Sequence, residues 1–177
     1  MQSYSASRQS RFGKKHVFWL IGGSIGLYLA YQAFVVLLVI YVVQPMQVQG
    51  VAMAPALNNG DKVFMWKIFK EIKRGEIIAH LYPEDTSKSY IKRVVGLPGE
   101  TLEIRDGRVY INGQLLEEPY MQPDYFGQGA FNPVKIASDH YFVLGDNRPN
   151  SSDSRYWGTV SRNLIYGKFW YRYWEQD

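Results

Sequence analysis

From Val17 to Val43 the chain carries no Asp, Glu, Lys or Arg, and Gln32 is the only strongly polar side chain in the run. At about 1.5 Å of rise per residue, a helix of that length reaches roughly 40 Å, more than the ~30 Å hydrocarbon core of a bilayer. It is long enough to cross with some tilt. Soluble core helices rarely run so far without a charge. A cleavable signal sequence has an apolar segment about half as long and a clear small-residue cleavage pattern, which is weak here. Residues 17–43 are therefore read as an uncleaved transmembrane anchor, with Pro45 ending the helix. Residues 1–16, rich in Ser and Gln and carrying Arg8, Arg11, Lys14 and Lys15, form a basic tail. After the run no Lys or Arg appears until Lys62. That imbalance places the N-terminus in the cytoplasm and residues 44–177 outside a cytoplasmic membrane crossed once.

The remaining composition excludes several classes. With no cysteine there is no disulfide framework and no thiolate metal site. His16, His80 and His140 are far apart and match no zinc spacing. No metal and no cofactor are expected. The net charge is +4, and much of it lies in the tail. Beyond the tail the charges alternate in sign, which describes a solvated surface and not a nucleic-acid footprint.

Beyond the anchor the chain reads as β. An extended stretch leads from Pro45 to Gly50. Strands are predicted over 62–66, 76–82, 90–95, 100–105, 108–111, 140–144 and 165–174. Asp106-Gly107 and Asn112-Gly113 are hairpin turns. Residues 67–74 read as a turn or membrane-facing loop, and 118–133 as a Pro/Gly/aromatic loop without a period. Many short strands with Gly and Pro between them predict a mainly β protein, an antiparallel barrel or sandwich behind one transmembrane helix. Aromatic residues make up 16% of the chain. Phe64, Trp66 and Phe69 suit a lipid headgroup belt. The Phe169-Trp170-Tyr171 and Tyr173-Trp174 cluster fits that belt and core packing equally well.

Three blocks carry the chemistry. The first is Val48-Gln49-Gly50-Val51-Ala52-Met53-Ala54-Pro55-Ala56-Leu57, followed by Gly60-Asp61. The second runs from Tyr90-Ile91-Lys92-Arg93 to Gly96-Leu97-Pro98-Gly99-Glu100. The third is Gly145-Asp146-Asn147-Arg148-Pro149-Asn150-Ser151-Ser152-Asp153-Ser154-Arg155-Tyr156-Trp157-Gly158. Each is weak alone. In this order, behind one anchor, they resemble the type I signal peptidases over nearly all of residues 44–177.

The resemblance implies a serine–lysine endopeptidase that removes signal peptides from exported preproteins. The position of Ala52 matches the attacking serine, and Lys92 matches the general base. Lysine acts as a base only when neutral, although it normally titrates near 10.4, and burial lowers that value. Ile91, Val94 and Val95 supply apolar neighbours. Asp153 and Arg155 match a supporting ion pair, and Ser151 matches the serine that orients the lysine. Backbone N–H groups near residue 52 would hold the oxyanion, with Gly50 and Met53 in the oxyanion and peptide-binding region. Gly50 lacks the hydroxyl that some members carry there. Small side chains preceding the cut would enter shallow pockets, for which 48–53 and 78–82 are candidates. The partners implied are signal peptides and the lipid bilayer.

Ala52 departs from the pattern. Removing the nucleophile of a comparable serine protease costs roughly 10^6-fold in turnover. Ala56 also stands where threonine is frequent. Two origins remain open: an engineered replacement of the serine in an active enzyme, or a natural pseudoprotease that binds peptides or serves in a membrane complex. Ser151, Ser152 and Ser154 belong to another block and are not expected to take over the attack.

Overall fold

A computed structural model describes residues 12–176. Arg8 and Arg11 of the expected basic tail lie outside the described residues. The chain divides into two compact units, residues 1–40 and 41–177.

The described residues of the first unit form one long helix, α1 (Phe12–Tyr41), whose last residue opens the second unit. Its apolar side chains spread around the whole circumference, leaving no seam for packing on a core. Phe18, Trp19 and Leu27 are each about three-quarters exposed. Within it, His16–Tyr41 is long and apolar enough to cross a membrane. Two expectations differ from this outcome. Residues 12–16, read as tail, are helical, and the helix ends at Tyr41, before Pro45. Val43 and Pro45 instead lie in a strand whose pairing overrides the apolar continuity of the sequence.

The second unit is mainly antiparallel β. A seven-stranded sheet contains β1 (Val43–Gln47), β2 (Lys62–Trp66), β3 (Ile77–Tyr82), β4 (Asp85–Gly96), β9 (His140–Leu144), β10 (Val160–Ser161) and β11 (Ile165–Trp174). Its order is β1-β2-β11-β3-β4-β9-β10. A four-stranded sheet joins β5 (Thr101–Arg105), β6 (Arg108–Ile111), β7 (Gln114–Leu115) and β8 (Phe131–Lys135) in the order β7-β6-β5-β8. A short helix, α2 (Ser154–Trp157), follows the third motif.

Local chemistry explains the turns. Asp106 and Gly107 both have positive φ, as do Asn112 and Gly113. That is the backbone of the mirror-image turns matching strand twist. β8 was hidden in a segment without periodicity. It forms by long-range pairing with β5, Leu102 opposite Val134 and Ile104 opposite Phe131, and Pro133 is tolerated because the strand is an edge.

Three apolar clusters hold the unit together. Ile78, Val94, Val143 and Ile165 pack on one side of the large sheet. Leu102, Val109, Ile136 and Phe142 fill the space beneath the small one. Val48, Met53, Leu57, Met65 and Ala79 form the third, which fastens the loop after β1 onto the sheet. Gly96 sits where a Cβ would come within 2.4 Å of Ile136 Cδ1. Glycine there lets β4 run close beneath the small-sheet cluster.

Candidate active site

The loop from Val48 to Asp61 carries residue 52, and its fold is fixed by its ends. Val48 N–H donates to Asp61 O and Gly60 N–H to Val48 O, both at 2.8 Å. Asp61 is fully buried. It accepts from Asn58 N at 2.9 Å, Gln176 N at 3.0 Å and Arg172 Nη1 at 3.0 Å. Those donors hold its carboxyl below the usual range against the opposing effect of burial. Between these ends Met53, 2% exposed, plugs into the third cluster. A long apolar side chain directly after residue 52 anchors the turn and leaves residue 52 at the rim.

Lys92 comes from the middle of β4, opposite Ile78 of β3. It is 3% exposed, and its Nζ lies 5.4 Å from the Tyr90 ring centroid. Burial pushes the amine down to about 8; the charges of Asp153 and Asp146 oppose that shift, and Arg155 reinforces it. A cleft of about 260 Å³ opens onto both loop and strand, and Gly50, Ala52, Met53, Tyr90, Ile91 and Lys92 all line it. The structure thus brings together Ala52, Lys92, Gly50 and Met53, read from two separate blocks.

The third block supports this site from below. Arg155 Nε donates to Asp153 Oδ1 at 2.7 Å and its Nη2 to Asp153 Oδ2 at 2.9 Å, with a further bond of 2.7 Å to Arg148 O. Asp153, fully buried, also accepts from Gly145 N at 3.0 Å and caps α2 through Arg155 N. Ser151 is placed differently from the expected contact with lysine. Its Oγ is buried and has no hydrogen-bond partner among the described residues.

Gly145 and Asn147, which in the sequence are only positions of the third block, shape this geometry. A Cβ on Gly145 would lie 2.2 Å from Ser151 Oγ and 2.5 Å from Ala52 O. Only glycine lets the residue-52 loop and the third block approach so closely. Asn147 N–H donates to Ala52 O at 3.0 Å, pinning residue 52 to that block. The Gly-Asp-Asn run was legible, but its contact across the fold was not.

In the sequence His80 matches no metal spacing and falls in the predicted strand 76–82 and the candidate pocket segment 78–82. It is fully buried on β3 opposite Tyr90. Its Nδ1 lies 2.8 Å from Leu81 O; a carbonyl can only accept, so Nδ1 carries the proton. Nε2 is buried and unpartnered among the described residues. Burial, reinforced by the charge of Lys92, pushes this imidazole down to about 4. No group of three or more His, Cys, Asp or Glu that could hold a metal occurs among the described residues.

Residues 22–174 match the family model for signal peptidase, peptidase S26. The chain belongs to that family. Signal peptidase I of Leptolyngbya laminosa is 41% identical over 147 residues, covering 76% of this chain and 70% of that one. Signal peptidase I of Bacillus amyloliquefaciens is 37% identical over 174 residues, covering 91% and 88%. A signal peptidase I of solved structure from Enterococcus faecalis V583 is 36% identical, covers 57% of this chain and 98% of its own, and has a TM-score of 0.49. By family, then, the chain is of the serine-hydrolase signal peptidase type, with an N-terminal helix suited to membrane anchoring and a methyl group at residue 52.

Proposed function

We propose that this protein recognises signal peptides of exported preproteins in the Ala52–Lys92 cleft and, as it stands, does not cleave them. The observation that carries the reading is that Ala52 and the buried amine of Lys92 line one cleft. In a chain with serine at 52, Lys92 would take the hydroxyl proton as the oxygen attacks the scissile carbonyl, then return it to the leaving amine. Gly50, Ala52 and Met53 belong to the loop whose N–H groups would face the oxyanion. Asp153 and Arg155 act as positioning residues, fixing the loop behind β4. Ser151, whose buried Oγ has no partner among the described residues, belongs to the same block.

The proposal places the N-terminal end of the chain in the cytoplasm, the anchor at His16–Tyr41 and the β unit that follows outside. Trp170, Tyr171 and Trp174 are each more than half exposed, which supports contact of this unit with lipid.

A second reading draws on the same cleft. The cleft is present with a methyl at residue 52, which supports peptide binding without the hydroxyl. In that reading the chain is a natural pseudoprotease, a peptide-binding or structural subunit of a membrane complex. The discriminating experiment is to restore Ala52→Ser and incubate the full chain in lipid with a preprotein, using the Ala52→Ser/Lys92→Ala double variant as control. Cleavage dependent on Lys92 supports an active parent enzyme. Absence of cleavage, with a stoichiometric membrane partner on purification, supports the subunit.

A further inference from the structure

A methyl group at residue 52 changes what the neighbouring amine can do. Lys92 Nζ forms no ion pair or hydrogen bond with a described residue, and it lies 5.4 Å from the Tyr90 ring centroid. The side chain is buried, yet it borders a cleft large enough for a short peptide end. The neighbouring alanine holds no proton for a base to remove. The amine lone pair is therefore available to a carbonyl carbon entering the cleft.

We propose that in this Ala52 chain Lys92 is a covalent capture site for aldehydes borne on short, small-side-chain peptides, which it holds as a reversible imine. The inference rests on the proposed peptide-binding role of the cleft and concerns a different reaction there. The nitrogen lone pair forms the C–N bond, and the carbonyl π pair moves to oxygen. A proton passes from nitrogen to that oxygen, giving a carbinolamine. The hydroxyl then leaves as water with the second nitrogen proton, and C=N remains. Water reverses each step, and no oxidant or reductant enters.

Site and charge favour Lys92 over the surface lysines. Lys88, for comparison, is well exposed and paired with Asp85 at 2.9 Å, and that pairing raises its pKa. Lys92 is faced by Tyr90 on its own strand, by His80 on β3 and by Asp153, Asp146 and Arg155 from the third block. Burial, with Arg155 adding to it and Asp153 and Asp146 opposing it, leaves the amine at about 8. At pH 7 an amine titrating there is neutral about one-tenth of the time, against roughly one part in 2,500 for an ordinary lysine.

The test uses the full chain in detergent at pH 7 with N-acetyl-Ala-Ala-alaninal and cyanoborohydride, which converts an imine to a stable secondary amine. Peptide mass spectrometry then locates the adduct. The expected result is a single adduct on Lys92, formed at least about tenfold faster than on any other lysine. It should be absent from a Lys92→Arg variant whose circular dichroism is unchanged. In Ala52→Ser the restored hydroxyl competes for the aldehyde as a hemiacetal, so Lys92 labelling falls. Adducts spread over the exposed lysines, with Lys92 unmodified, would overturn the inference, as would equal labelling with serine at 52. Preprotein cleavage by Ala52→Ser is read separately: cleavage without aldehyde capture by the parent chain sinks this inference alone.

Discussion

Arg93 holds Asp146 through two parallel bonds, Nε to Oδ1 at 2.7 Å and Nη2 to Oδ2 at 2.5 Å. The pair ties the strand of Lys92 to the Gly-Asp-Asn turn. Both side chains are nearly sequestered from water, Arg93 Nη1 donates to Gly75 O at 2.7 Å, and its guanidinium lies over the Tyr120 ring. Removing one partner leaves a buried charge without its counterion. Asp146→Ala should therefore cost about 3–5 kcal/mol, seen as a lower urea midpoint, and more than Arg155→Ala, whose guanidinium is partly exposed.

Lys92 should destabilise the fold at neutral pH. Its amine titrates at about 8 when folded and near 10.4 when unfolded, so between those values the unfolded chain binds more protons and stability rises with pH. Below pH 8 the full cost applies, about 3 kcal/mol for a shift of that size. Lys92→Met is expected to raise the urea midpoint at pH 7, and the gap between variant and parent should close as pH approaches 10.4.

His80 sets the acid limb. Its imidazole titrates at about 4 when folded and near 6.5 when unfolded. Stability is complete above pH 6.5 and is lost as pH falls towards 4, by up to about 3 kcal/mol. His80→Phe should flatten that dependence in urea titrations between pH 4 and 7, with little change at pH 7.

Gly145 should be intolerant of any side chain. A Cβ there would overlap Ser151 Oγ and Ala52 O, so the two loops must separate. In an Ala52→Ser background, Gly145→Ala is expected to abolish preprotein cleavage at a concentration where the parent variant is active. Its circular dichroism should still report a β fold.

How much of this was legible beforehand follows from the range of each signal. Asp106-Gly107 and Asn112-Gly113 announced their turns because the required backbone is set by two adjacent residues. β4, β9 and β11 were apolar enough to be found, with ends off by a few residues for β4. β8 and β10 were not, since each exists through a distant partner, Leu102 with Val134 and Tyr141 with Val160. Val43 was placed in the anchor because hydropathy continues through it, whereas its pairing with Trp66 is invisible in sequence. At the site, Ala52 and Lys92 were found through motif order, not spacing. The packing of Gly145 against Ala52, the buried and unpartnered Ser151 hydroxyl and buried His80 depend on approaches between segments tens of residues apart.

The aromatic surface gives a separate test. Trp66 meets Trp170 edge-on at 5.5 Å, and Phe64 stacks on Tyr173 at 4.3 Å. The remaining faces of Trp170 and Trp174 point to solvent. With the full chain in vesicles of brominated lipid, Trp170→Phe/Trp174→Phe should remove a quenched component of tryptophan fluorescence. Unchanged quenching would place this surface in water. Phe69, by contrast, packs partly in the core with Arg162 over its ring, and substituting it should lower stability more than lipid contact.

The pH–rate profile of Ala52→Ser in lipid, with a preprotein as substrate, addresses the Ala52–Lys92 relationship most directly. Since only the neutral amine can accept the serine proton, the rate should rise with pH through about 8 and level off above it, and Lys92→Ala should abolish it. No cleavage at any pH, or a rate that climbs only near the ordinary lysine value of about 10.4, would contradict the account.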